Sequence, residues 1–321
     1  NFRYDISSIL KLRHLWTFLN FYISVIFFNL LLYQRFRNRL ISLIGTLFLI
    51  ISPRIFADAF YNIKDLMFLS WFIIGLYFLY QYIHHPTKRN GLILAIVIAF
   101  ASNTRIIGFI LLIAACIYLV YEFLTKEITK KEFFIRGMIF VGINILLFFL
   151  FLPASWENPI DFFVKTLQHF SKYDYISQEL YLGKFVPSLN PPWHYLPVWI
   201  FISTPIFYTI LFFVGVFYLI KQFQIKNSDQ IFDYIVLGIF IISLLLPICL
   251  HSTLYDGWRH FYFLYGPFLY LAVLGLSALL AIKNIILKSV ILGISVGSLI
   301  YNGAWMIRNH PYQMVYFNVL V

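Results

Sequence analysis

The sequence predicts an all-α membrane protein, a polytopic bundle of transmembrane helices with further helices lying at its outer face. Hydrophobic residues make up 61% of its 321 positions and charged residues only 12%, whereas soluble domains carry about 25% charged residues. The mean hydropathy is +0.83, and runs of about 20 apolar residues follow one another with short polar breaks. These runs do not alternate apolar and polar residues, which excludes membrane-spanning strands.

Ten apolar runs are predicted as spans. They cover residues 14–33, 40–56, 66–83, 91–104, 106–123, 134–153, 195–220, 231–250, 261–282 and 287–305. Alternate breaks are basic ("RFRNR", "HHPTKRN", "TKEITKKEFFIR", "KQFQIKNSDQ", "KNIILK"), and the positive-inside rule predicts that they face the cytoplasm. The net charge of +11 is therefore interpreted as a sign of which loops face the cytoplasm. It does not indicate nucleic-acid binding, because no basic stretch is long enough for a groove-sized patch.

The opposite breaks are predicted to face outward, into the periplasm of a bacterium or the lumen of the endoplasmic reticulum. They are residues 1–13, "PRIFADAFYNIKD", "NTR", the long loop 154–194, "HSTLYDGWRH" and "RNHPYQMVYFN". Most of the unusual polar combinations lie here, so the outer face is the predicted place of any chemistry. Residues 1–13 fit the end of a short amphipathic helix on the membrane surface. The whole chain, 1–321, is predicted to be a single transmembrane domain.

The long outer loop begins with a helix signal. In "NPIDFFVKTLQHF", Asn158 suits the N-cap and Pro159 the first helical position. Apolar residues then recur at helical spacing on one side, which predicts an interfacial helix in the head-group layer. The following "VPSLNPPWHYLP" is predicted to be irregular, with Trp193 and Tyr195 in the aromatic belt.

The second outer break concentrates charge in "SPRIFADAFYNIKDLMF". Arg54, Asp58, Asn62, Lys64 and Asp65 fall within twelve positions, and charges near hydrocarbon persist when they pair, reach the interface or line a wet cavity. One interpretation is an ordinary polar turn in which Asp58 or Asp65 caps the next helix. The other is a binding cradle, since two carboxylates with an amide suit a divalent cation and Lys64 and Arg54 suit phosphate oxygens.

The motif "YDGWRHF" is the densest polar cluster. Arg259 offers a planar fork that can grip a phosphate with two hydrogen bonds. His260 can donate to phosphate or sugar oxygens, or titrate near neutral pH. Tyr255 and Asp256 adjoin them, and a structural pair of Asp256 with Arg259 is the alternative.

Three further polar groups allow two interpretations each. Arg105 in "SNTRIIG" either snorkels to the interface or turns inward to a shared anionic ligand. His84 and His85 lie on the predicted cytoplasmic side, where a solvated turn is favoured over a metal site. The motif "HPYQMVYFN" either contacts a sugar or decorates the interface with His310, Tyr312, Gln313 and Asn318.

Four motifs, "PRIFADAFYNIKD", "TR" followed by "G", "YDGWRHFYFLYGP" and "HPYQMVYFN", together resemble the C-type superfamily of integral-membrane glycosyltransferases. The chain is most similar to family 39, which includes protein O-mannosyltransferases and the lipid A aminoarabinose transferase. The resemblance covers essentially the whole chain in span order. It implies transfer of a sugar, with inversion, from a polyprenyl- or dolichyl-phosphate-linked donor to a hydroxyl of a protein, lipid or glycan acceptor at the outer face.

The resemblance also implies roles for residues. Asp58 and Asp65 resemble the superfamily's second-loop acidic residues, which take part in catalysis, position substrates or bind a divalent metal ion. Positive charge for the departing phosphate is expected from Lys64, Arg105, Arg259 and His260. Substrate contacts are expected from Arg54, Asn62, Tyr255, Asp256, His310 and Gln313. The family's catalytic acidic residue lies in its first outer loop, so the general base is expected upstream of Asn1, with this chain an N-terminally truncated fragment.

Two other functions compete with sugar transfer from a lipid carrier to a protein or lipid. A secondary transporter or flippase of lipid-linked glycans would carry charged residues near the bilayer midplane and often shows repeated halves. Here polar groups gather at outer ends and no repeat is visible, which favours an interfacial enzyme. An O-antigen ligase or polymerase would share the donor and differ in the acceptor.

Overall fold

The computed structural model describes residues 6–171 and 175–321, and within these ranges it contains thirteen α-helices and one two-stranded hairpin. The first helices are α1 (Ile6–Phe36), α2 (Arg39–Ile50), α3 (Pro53–Asp58), α4 (Asp65–His84), α5 (Lys88–Thr104), α6 (Ile110–Leu124) and α7 (Lys130–Leu150). The later ones are α8 (Pro159–Ser171), α9 (Tyr195–Ser203), α10 (Ile206–Lys221), α11 (Ser228–Cys249), α12 (Tyr265–Leu280) and α13 (Ile285–Arg308). The hairpin strands are β1 (Gln178–Tyr181) and β2 (Lys184–Pro187), and 3-10 turns cover Ile106–Phe109, Pro153–Ser155, Arg259–Leu264 and Gln313–Val315.

Seven helices in the described ranges are long and apolar enough to cross a membrane, so the predicted count of ten is wrong. They are Ile6–Phe36, Asp65–His84, Ile106–Leu124, Lys130–Leu150, Ser228–Cys249, Arg259–Leu280 and Ile285–Arg308. The all-α, polytopic fold class is confirmed. The protein is therefore an integral membrane protein, with α2 and α10 as shorter apolar helices.

Three predicted spans do not yield helices of that length and apolarity. They are 40–56, 91–104 and 195–220. Two of them are broken at proline, because the residue before a proline is pushed out of the helical region. Ser52 (φ −107°, ψ 107°) precedes Pro53, and Thr204 (φ −105°, ψ 143°) precedes Pro205. The third, α5, has only 17 residues and carries polar residues at both ends.

The N-terminal segment also differs from the prediction of a short surface helix at 1–13. From Ile6 onward it forms one continuous helix of 31 residues, α1. No glycine or proline interrupts residues 6–36, so nothing in that stretch ends the helix. Residues 1–5 lie outside the described residues.

The chain packs as two compact units. The first comprises Asn1–Ser70, His194–Gln224 and Trp258–Val321, and the second comprises Trp71–Trp193 and Ile225–Gly257. Inside the first unit, α10 and α12 meet backbone to backbone at Gly215 and Gly275, where a methyl group on either glycine would overlap a carbonyl oxygen of the other helix. Small residues permit this approach between membrane helices. The single domain over 1–321 stays a prediction.

The long loop contains the predicted helix and an unpredicted hairpin. Asn158 Oδ1 accepts from the Asp161 backbone N–H at 3.3 Å, as expected of the N-cap of α8. β1 and β2 are joined by Leu182 and Gly183, both with positive φ (49° and 75°), as a two-residue hairpin turn of the I′ kind requires. Tyr195 is fully buried, so its predicted place in the aromatic belt is wrong.

Candidate active site

The turn between α3 and α4 brings together two buried carboxylates, and one amide group donates hydrogen bonds to both of them. Asp58 is 0% exposed and Asp65 is 4% exposed. Asn62 Nδ2 donates to Asp58 Oδ1 at 3.3 Å and to Asp65 Oδ2 at 3.1 Å. Asn62 Oδ1 accepts from the backbone N–H groups of Asp65 at 2.9 Å and Lys64 at 3.4 Å. Asn62 therefore caps α4 with its oxygen and holds the two carboxylates together with its nitrogen.

This arrangement corrects the polar-turn interpretation, in which Asp58 or Asp65 would cap the next helix. The cap is Asn62, because it stands three residues before Asp65 and can reach the first free N–H groups of α4. The carboxylates of Asp58 and Asp65 accept from the cap's amide group and do not themselves form the cap. Capping of α4 is therefore not the role of these two carboxylates.

The Asp58 carboxyl is the more perturbed of the pair. Within the described part of the chain its buried Oδ2 meets no donor at hydrogen-bond geometry. Burial raises the pKa of Asp58 to about 6, the Tyr262 hydroxyl and the Asn62 amide oppose the rise, and the negative charge of Asp65 adds to it. A carboxyl with a pKa near 6 can exchange a proton near neutral pH, as a general acid or base must.

Two tyrosines adjoin this carboxyl. Tyr262, in the 3-10 turn Arg259–Leu264, is 1% exposed, and its hydroxyl interacts with Asp58. Tyr61 is 46% exposed. Burial raises the pKa of Tyr61 to about 12, Asp58 adds to the rise, and the positive charge of Arg259 opposes it. Arg259 therefore acts electrostatically on the same cluster as Asp58.

Arg54 is anchored inside the first unit. Its Nε donates to the Tyr316 carbonyl oxygen at 2.9 Å, and its guanidinium lies over the rings of Trp199 (5.3 Å) and Phe317 (4.7 Å). Burial lowers the pKa of Arg54, while Tyr262 and Asp58 act in the opposite direction. Arg54 thus links the C-terminal segment to the acidic pair.

The remaining predicted site residues of the first unit are placed as follows. Lys64 and His310 are exposed, and Arg259 and His260 are partly buried. Gln313 is 4% exposed, and its Nε2 donates to the Met306 carbonyl at 2.9 Å and lies 3.0 Å from His310 Nδ1. The amide of Gln313 is therefore engaged by the chain itself.

Three predicted site residues belong to the second unit. Asp256 donates its backbone N–H to Glu179 Oε2 at 2.9 Å, and the Tyr255 ring lies 4.3 Å from that of Tyr175. Arg105 is extended (φ −150°, ψ 130°) where α5 ends and the 3-10 turn begins. The convergence of Arg105 with Lys64 and Arg259 on one ligand stays a prediction.

His84 is not part of a simple solvated turn. Its Nε2 lies 3.0 Å from Asp229 Oδ1 and its Nδ1 lies 3.0 Å from the Tyr80 carbonyl oxygen. Tyr80 also donates to Asp229 Oδ1 at 2.8 Å. This cluster joins α4 to α11, which sequence spacing could not show.

In this structure the acidic turn holds an amide donor between its two carboxylates, and a divalent metal ion at this turn stays a prediction. The Asn62 N–H₂ group occupies the position between Asp58 and Asp65, and a donor there repels a cation. The orientation of the amide is favoured by its oxygen, which accepts from the backbone N–H groups of Lys64 and Asp65. Among the described residues no three His, Cys, Asp or Glu side chains form a metal-binding group.

Neither Tyr61 nor Tyr262 was among the site residues that the sequence predicted. Both stand inside motifs that were singled out, but the chain holds 23 tyrosines and 37 phenylalanines, so one more aromatic residue gives no signal. Their role follows from the approach of the 3-10 turn Arg259–Leu264 to α3, which is a tertiary contact.

These features define a multi-pass helical membrane protein with a buried pair of carboxylates. Tyr61 and Tyr262 adjoin the Asp58 carboxyl, and the positive charge of Arg259 acts on Tyr61. The sequence model of the dolichyl-phosphate-mannose-protein mannosyltransferase family matches residues 4–191, more than half of the chain. The chain belongs to this family, and the resemblance to family 39 is confirmed. No curated relative matches the sequence. The matched range contains the turn with Asp58, Asn62 and Asp65, and membership indicates a mannosyl-transferring glycosyltransferase.

Proposed function

We propose that this chain transfers mannose from a dolichyl- or polyprenyl-phosphate carrier to a protein hydroxyl at the outer membrane face, with inversion at the anomeric carbon. Family membership supports the donor and acceptor classes. The observation that carries the assignment to a site is the pair of buried carboxylates, Asp58 and Asp65, held by the single amide of Asn62.

The proposed reaction needs one proton acceptor and one anion stabiliser. The acceptor hydroxyl oxygen attacks the anomeric carbon from the face opposite the phosphate, and the bond from that carbon to the phosphate oxygen breaks. Among the described residues, the ionised Asp58 carboxylate, whose pKa of about 6 suits a base at neutral pH, is the group proposed to take the hydroxyl proton. Asn62 and Asp65 keep that carboxylate in position.

The departing lipid phosphate needs positive charge beside it. Arg259, whose charge already acts on Tyr61 in the cluster, is the proposed principal partner, because a guanidinium can hold two phosphate oxygens at once. In the first unit, the exposed ammonium of Lys64 and the imidazole of His260 are proposed to contact the same phosphate. Arg105 stays a predicted ligand of that phosphate. The predicted substrate contacts stay predictions; they are Arg54, Asn62, Tyr255, Asp256, His310 and Gln313.

The first prediction tests the acidic pair in the full-length protein, reconstituted in nanodiscs with mannosyl-phosphoryl-dolichol and a serine-containing peptide. Asp58→Asn removes the proton acceptor and is expected to lower the transfer rate about 100-fold or more. Asp65→Asn is expected to lower it less, through loss of positioning. Asp161→Asn is the control, because that carboxylate forms an ion pair with Lys165 at 2.7 Å within α8.

Equal rates for Asp58→Asn and Asp161→Asn would remove the turn from the proposed site. Arg259→Ala is expected to abolish transfer while the protein stays inserted and monodisperse, and normal turnover by that variant would exclude it as the phosphate partner. Movement of the lipid-linked mannose across liposomes without any transfer would establish the transporter alternative instead.

A further inference from the structure

The β1–β2 hairpin presents an apolar surface where a water-exposed hairpin would be polar. Leu180, Leu182 and Phe185 are 61%, 63% and 72% exposed. Leu180 and Phe185 are directly paired across the strands, so their side chains share one face, and Leu182 stands in the turn beside them. Contiguous exposed apolar surface of this kind marks an interaction site.

The opposite face of the hairpin is fixed to the protein. Tyr181, which alternates with Leu180 along β1, is 4% exposed. Ser188 follows β2, is 1% exposed, and accepts from the Leu254 backbone N–H at 3.0 Å through its carbonyl. The hairpin is therefore a fixed element of the second unit, with one face packed and the apolar face turned away.

The hairpin lies at the end of a membrane-spanning helix. A cavity of about 430 Å³ is lined by Val186 and Pro187 of β2 together with Pro247 and Ile248 in the last turns of α11. Helix α11 (Ser228–Cys249) is one of the seven helices able to cross the bilayer. The end of β2 at Val186 and Pro187 thus lies beside the last turn of a helix that is able to cross the bilayer.

The charges of the hairpin favour a phosphate-bearing partner. The Glu179 carboxylate is satisfied within the protein, since Oε1 accepts from Ser177 Oγ at 2.6 Å and Oε2 accepts from the Asp256 N–H at 2.9 Å. Lys184 is exposed beside the turn and next to Phe185. An apolar tip with an adjacent lysine suits lipid chains below and head-group phosphates above.

We propose that the β1–β2 hairpin is a membrane-seated anchor, with Leu180, Leu182 and Phe185 among the lipid chains and Lys184 at the phospholipid phosphates. The occupant of the apolar face is the bilayer that already surrounds α11. The anchor holds the loop 175–193 at the head-group layer, independently of which substrates the protein uses.

The test places a polarity-sensitive fluorophore on a single cysteine in nanodiscs. The two native cysteines, both free, are replaced by Cys116→Ala and Cys249→Ala. Leu182→Cys carries the probe, and Lys226→Cys, at the exposed opposite end of α11, is the matched control. The Leu182 probe is expected to be quenched several-fold more strongly than the control by phospholipids brominated on their chains, and several-fold less by aqueous iodide.

A second variant tests the charge. Adding Lys184→Glu to the labelled protein is expected to reduce the lipid quenching of the Leu182 probe, most clearly with anionic phospholipids. Quenching by iodide equal to that of the control would overturn the proposal. A Leu182 probe shielded from both quenchers would also overturn it, in favour of a protein occupant such as a second copy or the acceptor polypeptide.

Discussion

Asp58 shows how a residue can serve function at the expense of stability. Burial favours the neutral carboxyl and raises its pKa from 3.8 to about 6. Because the folded protein binds this proton more tightly than the unfolded chain, ionising Asp58 destabilises the fold. Yet a base must be ionised to accept a proton. The two requirements therefore have opposite dependences on pH.

The second prediction concerns stability. Between about pH 4 and pH 6 the folded state holds more protons at Asp58, so the free energy of unfolding falls as pH rises through this window, by about 3 kcal/mol at most. Asp58→Asn cannot ionise, so it is expected to lose this component of the pH dependence and to unfold at a higher temperature than the parent at neutral pH. Thermal unfolding in nanodiscs measures both, and an unchanged pH profile in the variant would contradict the assigned pKa.

The third prediction concerns the rate. Transfer is expected to rise with pH and reach half of its maximum near pH 6, where Asp58 becomes ionised. Tyr61→Phe removes a hydroxyl that stabilises the carboxylate and is expected to move this midpoint upward. Single-turnover rates across the pH range provide the measurement. A midpoint that does not move in Tyr61→Phe would place the titrating group elsewhere.

The residues of the acidic turn could be predicted because charge is scarce in this chain. Asp58, Asn62 and Asp65 stand out in a sequence that is only 12% charged, and their short spacing keeps them together in any turn. Tyr262 could not be predicted, since it is 197 or more positions from that turn and its contact requires the folded first unit. The sequence likewise could not show that Gln313 is engaged by Met306.

At the scale of elements, hydropathy found the apolar runs but not their breaks. The proline in "STPIF" ends α9 and starts α10, although the run 195–220 is predominantly apolar. Pro205 has no N–H, so the Phe201 carbonyl lacks its ordinary helical donor. Asn318 provides one, because its Nδ2 donates to Phe201 O at 2.6 Å and to Thr204 O at 2.7 Å. Asn318, which is remote in sequence, thus donates the hydrogen bonds that these two carbonyls lack at the break between α9 and α10.

The fourth prediction follows from these two hydrogen bonds of Asn318. Asn318→Leu leaves two carbonyls without that donor and is expected to destabilise the protein by about 1–3 kcal/mol, seen as a lower unfolding temperature. Asn309→Leu is the control, since the Trp305 carbonyl that Asn309 contacts also accepts from a backbone N–H at 3.0 Å. An equal loss of stability in both variants would mean that the hydrogen bonds of Asn318 to Phe201 and Thr204 contribute nothing to the free energy of unfolding.

At the scale of the whole molecule, the net charge of +11 is a property of the loops. Exposed basic residues stand in the breaks predicted to face the cytoplasm, for example Arg37, Lys88, Lys130, Lys131 and Lys226. A basic residue near an anionic membrane surface gains about 1 kcal/mol. The folded protein in its bilayer is therefore expected to bind anionic lipids through many weak contacts, and ligands that bind the folded state stabilise it.

The fifth prediction is that replacing neutral by anionic phospholipid raises the unfolding temperature by several degrees. The gain should disappear in about 1 M salt, where the Debye length is about 3 Å. The double variant Lys130→Gln/Lys131→Gln is expected to lose part of the gain, because both side chains are exposed at the start of α7. Lys165→Gln should keep it, since Asp161 already neutralises Lys165 at 2.7 Å. A gain that persists in high salt, or that Lys165→Gln loses equally, would show that lipid packing and not the charge of these loops is responsible.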